Sequence, residues 1–594
     1  MTLTVPLDHF GPPDGPTIDV MFGLRRAMSR APTDQVFVTA TGGPGTAGLA
    51  SAAGYTSAFA RELRDTNHIV FFDQRGVGHS GPIQCPIAST EFYLTAEDPA
   101  TSTATTGYPV AATHYVDACI AEAGVDRETL QYYSTRQAIA DLEALRIWLE
   151  VDRIDLYGES YGTQFAQAYA GAHPGQVDSL LVDGSVDLEL QGTDYWAEAT
   201  RSFDRTLVAT LLDCTADETC TADMAGGDAL LAYDGLAASL DEADRPYTFV
   251  RADGSTEERL LRAVDLENAA AGYAYDEFDR MLFLRALAAA SRGDLLPMAR
   301  AAYLAIGQDP ETLEAMPDPT YSDALYYSVE CVDYDYPGGT PEERAQGYLD
   351  AGRAADIDSS RLSGVFYGDL PCAFWPARPP LAERPEGLTD TPFPVFVLGA
   401  TLDPVTPWAN AERIFERLTG ERYLLVKPGG PHIIFGRGEP CPDDPVTAFL
   451  VDGKQPRAER TTCPGDEVDD YVAVAPPSAD AYADELAALA SAEDQILNDA
   501  DYWGWDEEEP LVVGCREGGT LRYEATDRGY NLGLDGCAFA AGMPLTGQAF
   551  SGFGGRFSLD VRVPGGRLRY AHSGGERSVV GRIDGRPVRI SEPD

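Results

Sequence analysis

The chain has 594 residues, several times the length of a typical domain, so the sequence predicts a large folded domain with at least one insertion or appendage. Apolar residues make up 44% and aromatic residues 10%, as in folded soluble proteins, and no uninterrupted apolar run approaches the roughly 20 residues that a membrane-spanning helix needs. The formal net charge of −51 repels phosphate backbones and anionic lipid surfaces, which argues against nucleic-acid partners and indicates a highly acidic surface.

The first 190 residues alternate short apolar runs with helical patterns. Residues 35–40, 68–72, 154–157 and 179–183 have the composition of buried strands, and residues 134–150 carry apolar side chains at helical spacing. Strands that alternate with helices are typical of a mostly parallel sheet with helices on both faces.

Residues 191–385 are predicted to be mainly helical, with helical patterns such as that at residues 263–291, and we interpret them as a cap inserted into the sheet domain. The strand pattern returns at residues 394–398 and 422–426, which should complete the sheet. Beyond Pro464 an acidic stretch and one helix precede glycine-rich alternating runs, which predict a small antiparallel β-rich domain. We therefore divide the chain into a first core part (1–190), a helical cap (191–385), a second core part (386–465) and a linker with a β-rich accessory domain (466–594).

The ten cysteines fall into couples that are close in sequence, and disulfides are the favoured interpretation. Zinc binding is the weaker alternative, because no CxxC spacing occurs and the histidines do not cluster with the cysteines. Disulfides imply an oxidising compartment outside the cytosol. No signal peptide follows Met1, so either a leader is missing from this sequence or the thiols are free, and the cysteine couples favour the first. The couples are Cys85 with Cys119, Cys214 with Cys220, Cys331 with Cys372, Cys441 with Cys463 and Cys515 with Cys537.

The strongest chemical signal is the sequence Gly-Glu-Ser-Tyr-Gly at residues 158–162. It lies between a predicted strand and a predicted helix, which is the context of a nucleophile elbow, where a sharp turn exposes a serine hydroxyl at the end of a strand. The pattern predicts Ser160 as the nucleophile. The following helix directs its amino end toward the negative charge that develops on a substrate oxygen.

A glycine-rich loop, Thr-Gly-Gly-Pro-Gly at residues 41–45, follows the first strong strand. In this type of fold that loop supplies a backbone N–H group to the oxyanion, so we predict an oxyanion hole formed by the N–H groups of Gly43 and Tyr161. The motif Asp-Gln-Arg-Gly-Val-Gly-His-Ser at residues 73–80 follows the second strand. We interpret its charged pair, Asp73 and Arg75, as scaffold that locks a turn.

The chain order of this fold places an acid and then a histidine after the serine. His432 follows the strand at 422–426 in a loop suited to a general base, whereas His173 ends a helix and His572 lies in the β-rich tail. Asp403 follows the strand at 394–398 and should orient His432. Asp183 and Asp187, at the end of an earlier strand, are the fallback acids.

Together these motifs, with LVDGSVD at 181–187, GATLDPVTP at 399–407 and the cysteines that follow His432, resemble those of secreted tripeptidyl aminopeptidases of actinomycetes. These enzymes are relatives of proline iminopeptidase in the α/β-hydrolase superfamily, and the resemblance covers roughly residues 5 to 465. Thr41 stands where the family often has a histidine, Pro431 precedes His432 where small residues are usual, and the β-rich tail is not part of the shared core.

The resemblance implies an α/β-hydrolase fold and a serine peptidase that removes short peptides or single residues from free amino termini, with no metal or other cofactor. Glu330 and Glu159 are candidates to hold the substrate ammonium group, because a buried cation needs a partner. An esterase or lipase with the same triad is the first alternative, since the fold hosts many chemistries. A binding protein on a disabled hydrolase scaffold is the second.

Overall fold

The computed structural model describes residues 1–28, 35–378, 385–507 and 509–593. These form two compact units. The first comprises Met1–Ala209, Ala274–Glu277 and Glu314–Val468, and the second comprises Thr210–Tyr273, Phe278–Leu313 and the chain from Asp469 onward. The segment that we interpret as a helical cap contributes to both units, and the four-part domain division stays a prediction.

The strands and helices have the following bounds. The strands are β1 Thr2–Pro6, β2 Thr17–Arg25, β3 Val36–Ala40, β4 His68–Phe72, β5 Ile154–Glu159, β6 Val177–Asp183, β7 Arg245–Val250, β8 Thr256–Leu261, β9 Val395–Ala400, β10 Arg422–Lys427, β11 Arg460–Thr462, β12 Leu511–Gly514, β13 Thr520–Thr526, β14 Gly529–Cys537, β15 Leu545–Gly552, β16 Arg556–Val563, β17 Gly566–Ser573, β18 Glu576–Ile583 and β19 Arg586–Pro593. The helices are α1 Gly48–Ala58, α2 Arg61–Thr66, α3 Pro86–Tyr93, α4 Tyr108–Ala123, α5 Thr135–Trp148, α6 Tyr161–Ala172, α7 Gly192–Ala216, α8 Glu218–Asp223, α9 Ala229–Glu242, α10 Ala263–Gly272, α11 Glu277–Ser291, α12 Leu296–Ala305, α13 Asp323–Asp333, α14 Pro341–Ala354, α15 Gly364–Tyr367, α16 Trp408–Arg417, α17 Pro440–Asp452, α18 Glu485–Leu497 and α19 Ala500–Trp503.

The first unit is built on a sheet that has nine strands within the described residues, in the order β1-β2-β4-β3-β5-β6-β9-β10-β11. The pairs β1/β2 and β2/β4 are antiparallel, and all the others are parallel. The central strands are apolar and buried along most of their length because helices cover both faces. Val38 and Leu180 belong to the hydrophobic core on one face, whereas Phe37 and Leu181 belong to the core on the other. This is the α/β-hydrolase fold predicted from the sequence.

The second unit contains an antiparallel sheet of eight strands within the described residues, β12 to β19 in sequence order. Apolar side chains of α18, such as Leu489 and Ile496, share a core with inward-facing side chains of this sheet, such as Tyr523 and Leu559. The predicted antiparallel β-rich structure of the C-terminal region is therefore confirmed. The same unit contains the hairpin β7/β8, which the sequence pattern did not predict.

All ten cysteines lie in the described residues and form the five disulfides expected from their spacing: Cys85–Cys119, Cys214–Cys220, Cys331–Cys372, Cys441–Cys463 and Cys515–Cys537. This pairing is consistent with folding in an extracytoplasmic, oxidising compartment. In the described ranges, no helix has the length and apolar character needed to cross a membrane.

Candidate active site

The turn between β5 and α6 holds Ser160 in a strained conformation. Ser160 has φ of +54° and ψ of −127°, a region that residues other than glycine rarely adopt. The flanking glycines make the turn possible: a Cβ atom on Gly158 would lie 2.1 Å from the carbonyl oxygen of Gly162, and one on Gly162 would lie 2.1 Å from that of Ala40. The sequence Gly-x-Ser-x-Gly therefore forms the sharp strand-to-helix turn that it predicts.

The hydroxyl group of Ser160 is available to a ligand. The residue is partly exposed, and its Oγ makes no hydrogen bond within the described chain. Its backbone is fixed, because its N–H group donates to the carbonyl oxygen of Asp183 at 2.9 Å and Thr163 donates to its carbonyl oxygen through both N–H and Oγ1. Tyr161, the first residue of α6, has an N–H group without an acceptor inside the helix, as at every helix start.

The glycine-rich loop after β3 passes directly against the serine. A Cβ atom on Gly42 would lie 2.7 Å from Cβ and 3.2 Å from Oγ of Ser160, so Gly42 packs directly on the serine. The following residue, Gly43, has φ of +98°. The loop is held from the segment before α13, because the N–H group of Ser322 donates to the carbonyl oxygen of Gly45 at 3.0 Å.

Asp403 and His432 are in direct contact at the carboxyl ends of β9 and β10. Both carboxylate oxygens of Asp403 lie 2.9 Å from Nδ1 of His432. The Asp403 side chain, which is 1% exposed, also accepts hydrogen bonds from the N–H groups of Val405 and Thr406 and from the Thr406 hydroxyl. These bonds fix the carboxylate and stabilise its charge.

Helix α7 supports the loop that carries Asp403. The Ser202 hydroxyl donates to the carbonyl oxygen of Asp403 at 2.7 Å, and the Thr206 hydroxyl donates to that of Leu402 at 3.0 Å. Both bonds are buried or partly buried. The backbone before and at Asp403 is therefore anchored independently of its side chain.

His432 lies against the end of β6, where the carbonyl oxygen of Asp183 accepts the N–H group of Ser160, and it points Nδ1 at Asp403. The residue after Asp183, Gly184, packs against it: a Cβ atom on Gly184 would lie 3.1 Å from Cε1 of His432. Burial lowers the pKa of His432, but the charge and hydrogen bond of Asp403 and the charges of Asp183 and Glu159 more than offset this, so the pKa is raised. With Nδ1 directed at Asp403, Nε2 is the nitrogen that is left to exchange a proton.

Residues 274–277, which end the connection from α10 and include the first residue of α11, contact the histidine loop. The carbonyl oxygen of Tyr275 accepts the N–H group of His432 at 2.8 Å, and the Tyr275 ring stands edge-on to the imidazole with centroids 5.6 Å apart. Glu277 lies 3.1 Å from Nζ of Lys427. Sequence reasoning missed this segment, because the helical pattern at residues 263–291 continues through it without a visible break.

Asp183 and Asp187, the fallback acids, do not contact the imidazole nitrogens. The Asp183 carboxylate accepts the N–H groups of Ile434 and Phe435, at 3.0 and 2.8 Å. Asp187 pairs with two arginines of α16 at 2.9 and 2.8 Å, Arg413 and Arg417.

The motif at residues 73–80 also forms scaffold, but its two charged residues do not pair with each other. The Asp73 carboxylate accepts the backbone N–H groups of Leu49 and His79. Arg75, fully buried, makes a two-pronged ion pair with Asp141 at 2.6 and 2.7 Å. The turn is therefore held by hydrogen bonds from backbone N–H groups to the Asp73 carboxylate, and not by an ion pair between Asp73 and Arg75.

Comparison with known proteins agrees with this architecture. Residues 35–216 match the family model described as alpha/beta hydrolase fold, and residues 362–463 match the model described as TAP-like protein. The chain is 27% identical over 474 residues to serine protease Hip1 of Mycobacterium tuberculosis (strain ATCC 25618 / H37Rv), which covers 76% of this chain and 85% of the relative. It is 24% identical over 491 residues to tripeptidyl aminopeptidase of Streptomyces lividans, which covers 78% and 83%.

A third relative has a different named activity. The chain is 25% identical over 485 residues to carboxylesterase B of Mycobacterium tuberculosis (strain CDC 1551 / Oshkosh), which covers 77% of this chain and 84% of the relative. The matched family models, the sheet order and the strained serine turn have one common interpretation. The chain is a serine hydrolase with the α/β-hydrolase fold, and the proteins that it is similar to include a serine protease and a tripeptidyl aminopeptidase.

Proposed function

We propose that this protein is a secreted serine exopeptidase that removes single residues or short peptides from free amino termini, with Ser160, Asp403 and His432 as its catalytic triad. The observation that carries the proposal is the Asp403–His432 pair, with Nδ1 2.9 Å from the carboxylate, in a loop that Asp183 joins to the strained Ser160, whose hydroxyl has no partner in the described chain. A serine of this kind is activated by a neighbouring general base that a carboxylate orients.

The proposed reaction proceeds through an acyl-enzyme. Nε2 of His432 takes the proton of the Ser160 hydroxyl while Oγ bonds to the substrate carbonyl carbon, whose oxygen becomes negatively charged. The N–H groups of Gly43 and Tyr161 stabilise that oxygen. The imidazolium, stabilised by Asp403, then gives its proton to the leaving amine as the C–N bond breaks. His432 then takes a proton from a water molecule, whose oxygen bonds to the ester carbonyl carbon. The bond from that carbon to Oγ breaks, Oγ regains a proton from His432, and the carboxylic acid is released.

Two features favour a peptide with a free amino terminus as substrate. The relatives include a tripeptidyl aminopeptidase and a serine protease. In addition, the first unit has two carboxyl groups near the serine turn, one partly exposed and one buried. Glu159 precedes Ser160. Glu330 on α13 is 5% exposed, and its charge adds to burial and the charge of Asp333 in raising the pKa of the Tyr161 phenol. Either carboxylate can neutralise a substrate ammonium group, which is costly to bury without a partner.

Ester hydrolysis is the second candidate, because a carboxylesterase is among the relatives. The same triad cleaves esters by the same steps, with an alcohol in place of the amine as leaving group. Esters need no anchor for an ammonium group, so the two candidates differ in their dependence on a free substrate amine.

The test is hydrolysis of matched chromogenic substrates by the purified protein and its Ser160→Ala variant. The substrates are a free-amine tripeptide, a free-amine proline derivative, their amino-blocked forms and a short acyl ester. We expect cleavage of the free-amine substrates that is lost on blocking and lost in the variant. Cleavage of the ester alone would support the esterase, and no turnover together with no labelling of Ser160 by an organophosphonate would point to a binding protein.

A further inference from the structure

Asp183, at the carboxyl end of β6, contacts both halves of the proposed catalytic site. Its carbonyl oxygen accepts the N–H group of Ser160 at 2.9 Å. Its carboxylate accepts the N–H groups of Ile434 and Phe435 at 3.0 and 2.8 Å, two and three residues after His432. One residue therefore links the serine turn to the histidine loop, although the two are separated by more than 250 positions in the chain.

The loop that carries His432 depends on such anchors. It contains four glycines with positive φ, at positions 429, 430, 436 and 438, and so has little conformational preference of its own. Its fixed points nearest to the imidazole are the bond from the His432 N–H group to Tyr275 and the two bonds to Asp183. Further along, the N–H groups of Gly436 and Gly438 donate to the Asp443 carboxylate, so loss of the Asp183 bonds removes the anchor closest to His432 on that side.

The charge of Asp183 is also unusually placed. The side chain is 0% exposed, and no lysine or arginine pairs with it in the described part of the chain. The titratable groups that face it are Glu159 and the Tyr157 hydroxyl of β5, the Tyr55 hydroxyl of α1 and the imidazole of His432. Burial raises the pKa of Asp183 to about 7, although the N–H groups of Phe435 and Ile434 act in the opposite direction. The cation that can compensate its charge is the imidazolium of His432.

We propose that Asp183 is a positioning residue for catalysis: it fixes the histidine loop against the serine turn, and its carboxylate favours the imidazolium form of His432. The inference rests on the proposed function, because it assigns Asp183 a role in activating Ser160. Asp403 orients the imidazole from the Nδ1 side, whereas Asp183 holds the backbone that carries it. The two acids therefore act on different atoms of one loop.

The test compares Asp183→Asn with a matched control, Asp155→Asn. Asp155 is also a buried aspartate of the central sheet whose pKa burial raises to about 7, but its carboxylate accepts the hydroxyl of Ser179 and does not contact the histidine loop. The two variants make the same chemical change at similar depth. An effect that both variants show is therefore due to the loss of a buried carboxylate in general and not to the loss of contact with the histidine loop.

The primary readout is the rate at which an organophosphonate labels Ser160, measured from pH 5 to 9. In addition, kcat and KM are measured on a substrate that the wild-type protein cleaves. We expect Asp183→Asn to slow labelling and lower kcat by about 10–100-fold with little change in KM, since displacement of a reacting group by about 1 Å has effects of this size. We also expect the acid limb of its pH profile to move to lower pH, because a negative charge that raises the pKa of His432 is lost. Asp155→Asn should change neither the rate nor the limb.

Equal behaviour of the two variants would overturn the inference. Failure of the wild-type protein to react with the phosphonate would instead overturn the proposed function. If Asp183→Asn does not fold, amide hydrogen exchange in the wild-type protein tests the anchor instead. The amides of Ile434 and Phe435 should exchange as slowly as amides of the central strands. Exchange as fast as in exposed loops would show that the Asp183 anchor does not exist.

Discussion

Replacement of Gly184 by alanine tests how closely the position of His432 is controlled. Gly184 has φ of +60°, and a Cβ atom there would lie 2.8 Å from Cδ1 of Ile433 and 2.9 Å from the carbonyl oxygen and 3.1 Å from Cε1 of His432. Carbon atoms pack at about 3.5–4.0 Å, so the imidazole must move by about 0.4–0.9 Å. A displacement approaching 1 Å lowers catalytic rates by up to about 100-fold, and we expect Gly184→Ala to lower kcat/KM by about 10–100-fold.

The matched control is Gly124→Ala. Gly124 ends α4 with φ of +64°, and a Cβ atom there would meet nothing within 4 Å. Both variants place alanine in the left-handed region, which costs about 1–2 kcal/mol, but only Gly184→Ala crowds His432. The assays are phosphonate labelling of Ser160, turnover of the free-amine tripeptide and thermal unfolding. If Gly184→Ala is as active as Gly124→Ala, the contact does not control the histidine and the reasoning is refuted.

Three further predictions use the same assays. Asp403→Asn should lower kcat by about 10³–10⁴-fold with only a small change in thermal unfolding, because the amide favours the wrong tautomer of His432; near-normal kcat would contradict the role of Asp403. Because Asp403 and neighbouring carboxylates raise the pKa of His432 and the reaction needs the neutral base, kcat/KM should rise with pH along an acid limb centred above the ordinary histidine pKa of 6.5; a limb below 6.5 would contradict this. Replacement of both Cys331 and Cys372 by serine opens a loop of 41 residues and should lower the free energy of unfolding by about 4 kcal/mol. Denaturant unfolding measures this change, and an unchanged midpoint would contradict the prediction.

The part of the fold that sequence predicts well is the centre of the sheet. Strands such as β3, β5 and β9 are buried on both faces, and continuous apolar runs are easily recognised. The strands β1 and β2 were missed because they lie at the antiparallel edge, where exposed and buried residues mix and no continuous run results. The hairpin β7/β8 was missed for the same reason, since many of its side chains are exposed.

The candidate site divides in a similar way. Ser160, Asp403 and His432 were predicted from their positions after strands, because the carboxyl ends of parallel strands share one edge of a sheet. The Tyr275 carbonyl left no signal, since any residue has such a group and the helical pattern of residues 263–291 runs through it. Asp183 was noticed, but as a substitute for Asp403. Sequence position shows that a carboxylate ends a strand, and only the three-dimensional structure shows that it accepts N–H groups from a loop 250 residues away.

The carboxylates around His432 have opposite effects on two requirements of the proposed reaction. Asp403, Asp183 and Glu159 all favour the imidazolium, which forms when Ser160 is deprotonated, so they stabilise the transition state. The same charges keep His432 protonated to higher pH in the free enzyme, so a smaller fraction of it is available as a base in acid. Burial acts in the other direction by lowering the pKa of His432. The balance predicts an enzyme whose activity is retained at neutral to alkaline pH and lost on acidification, and removal of any one of these carboxylates should extend activity toward acid while lowering its maximum.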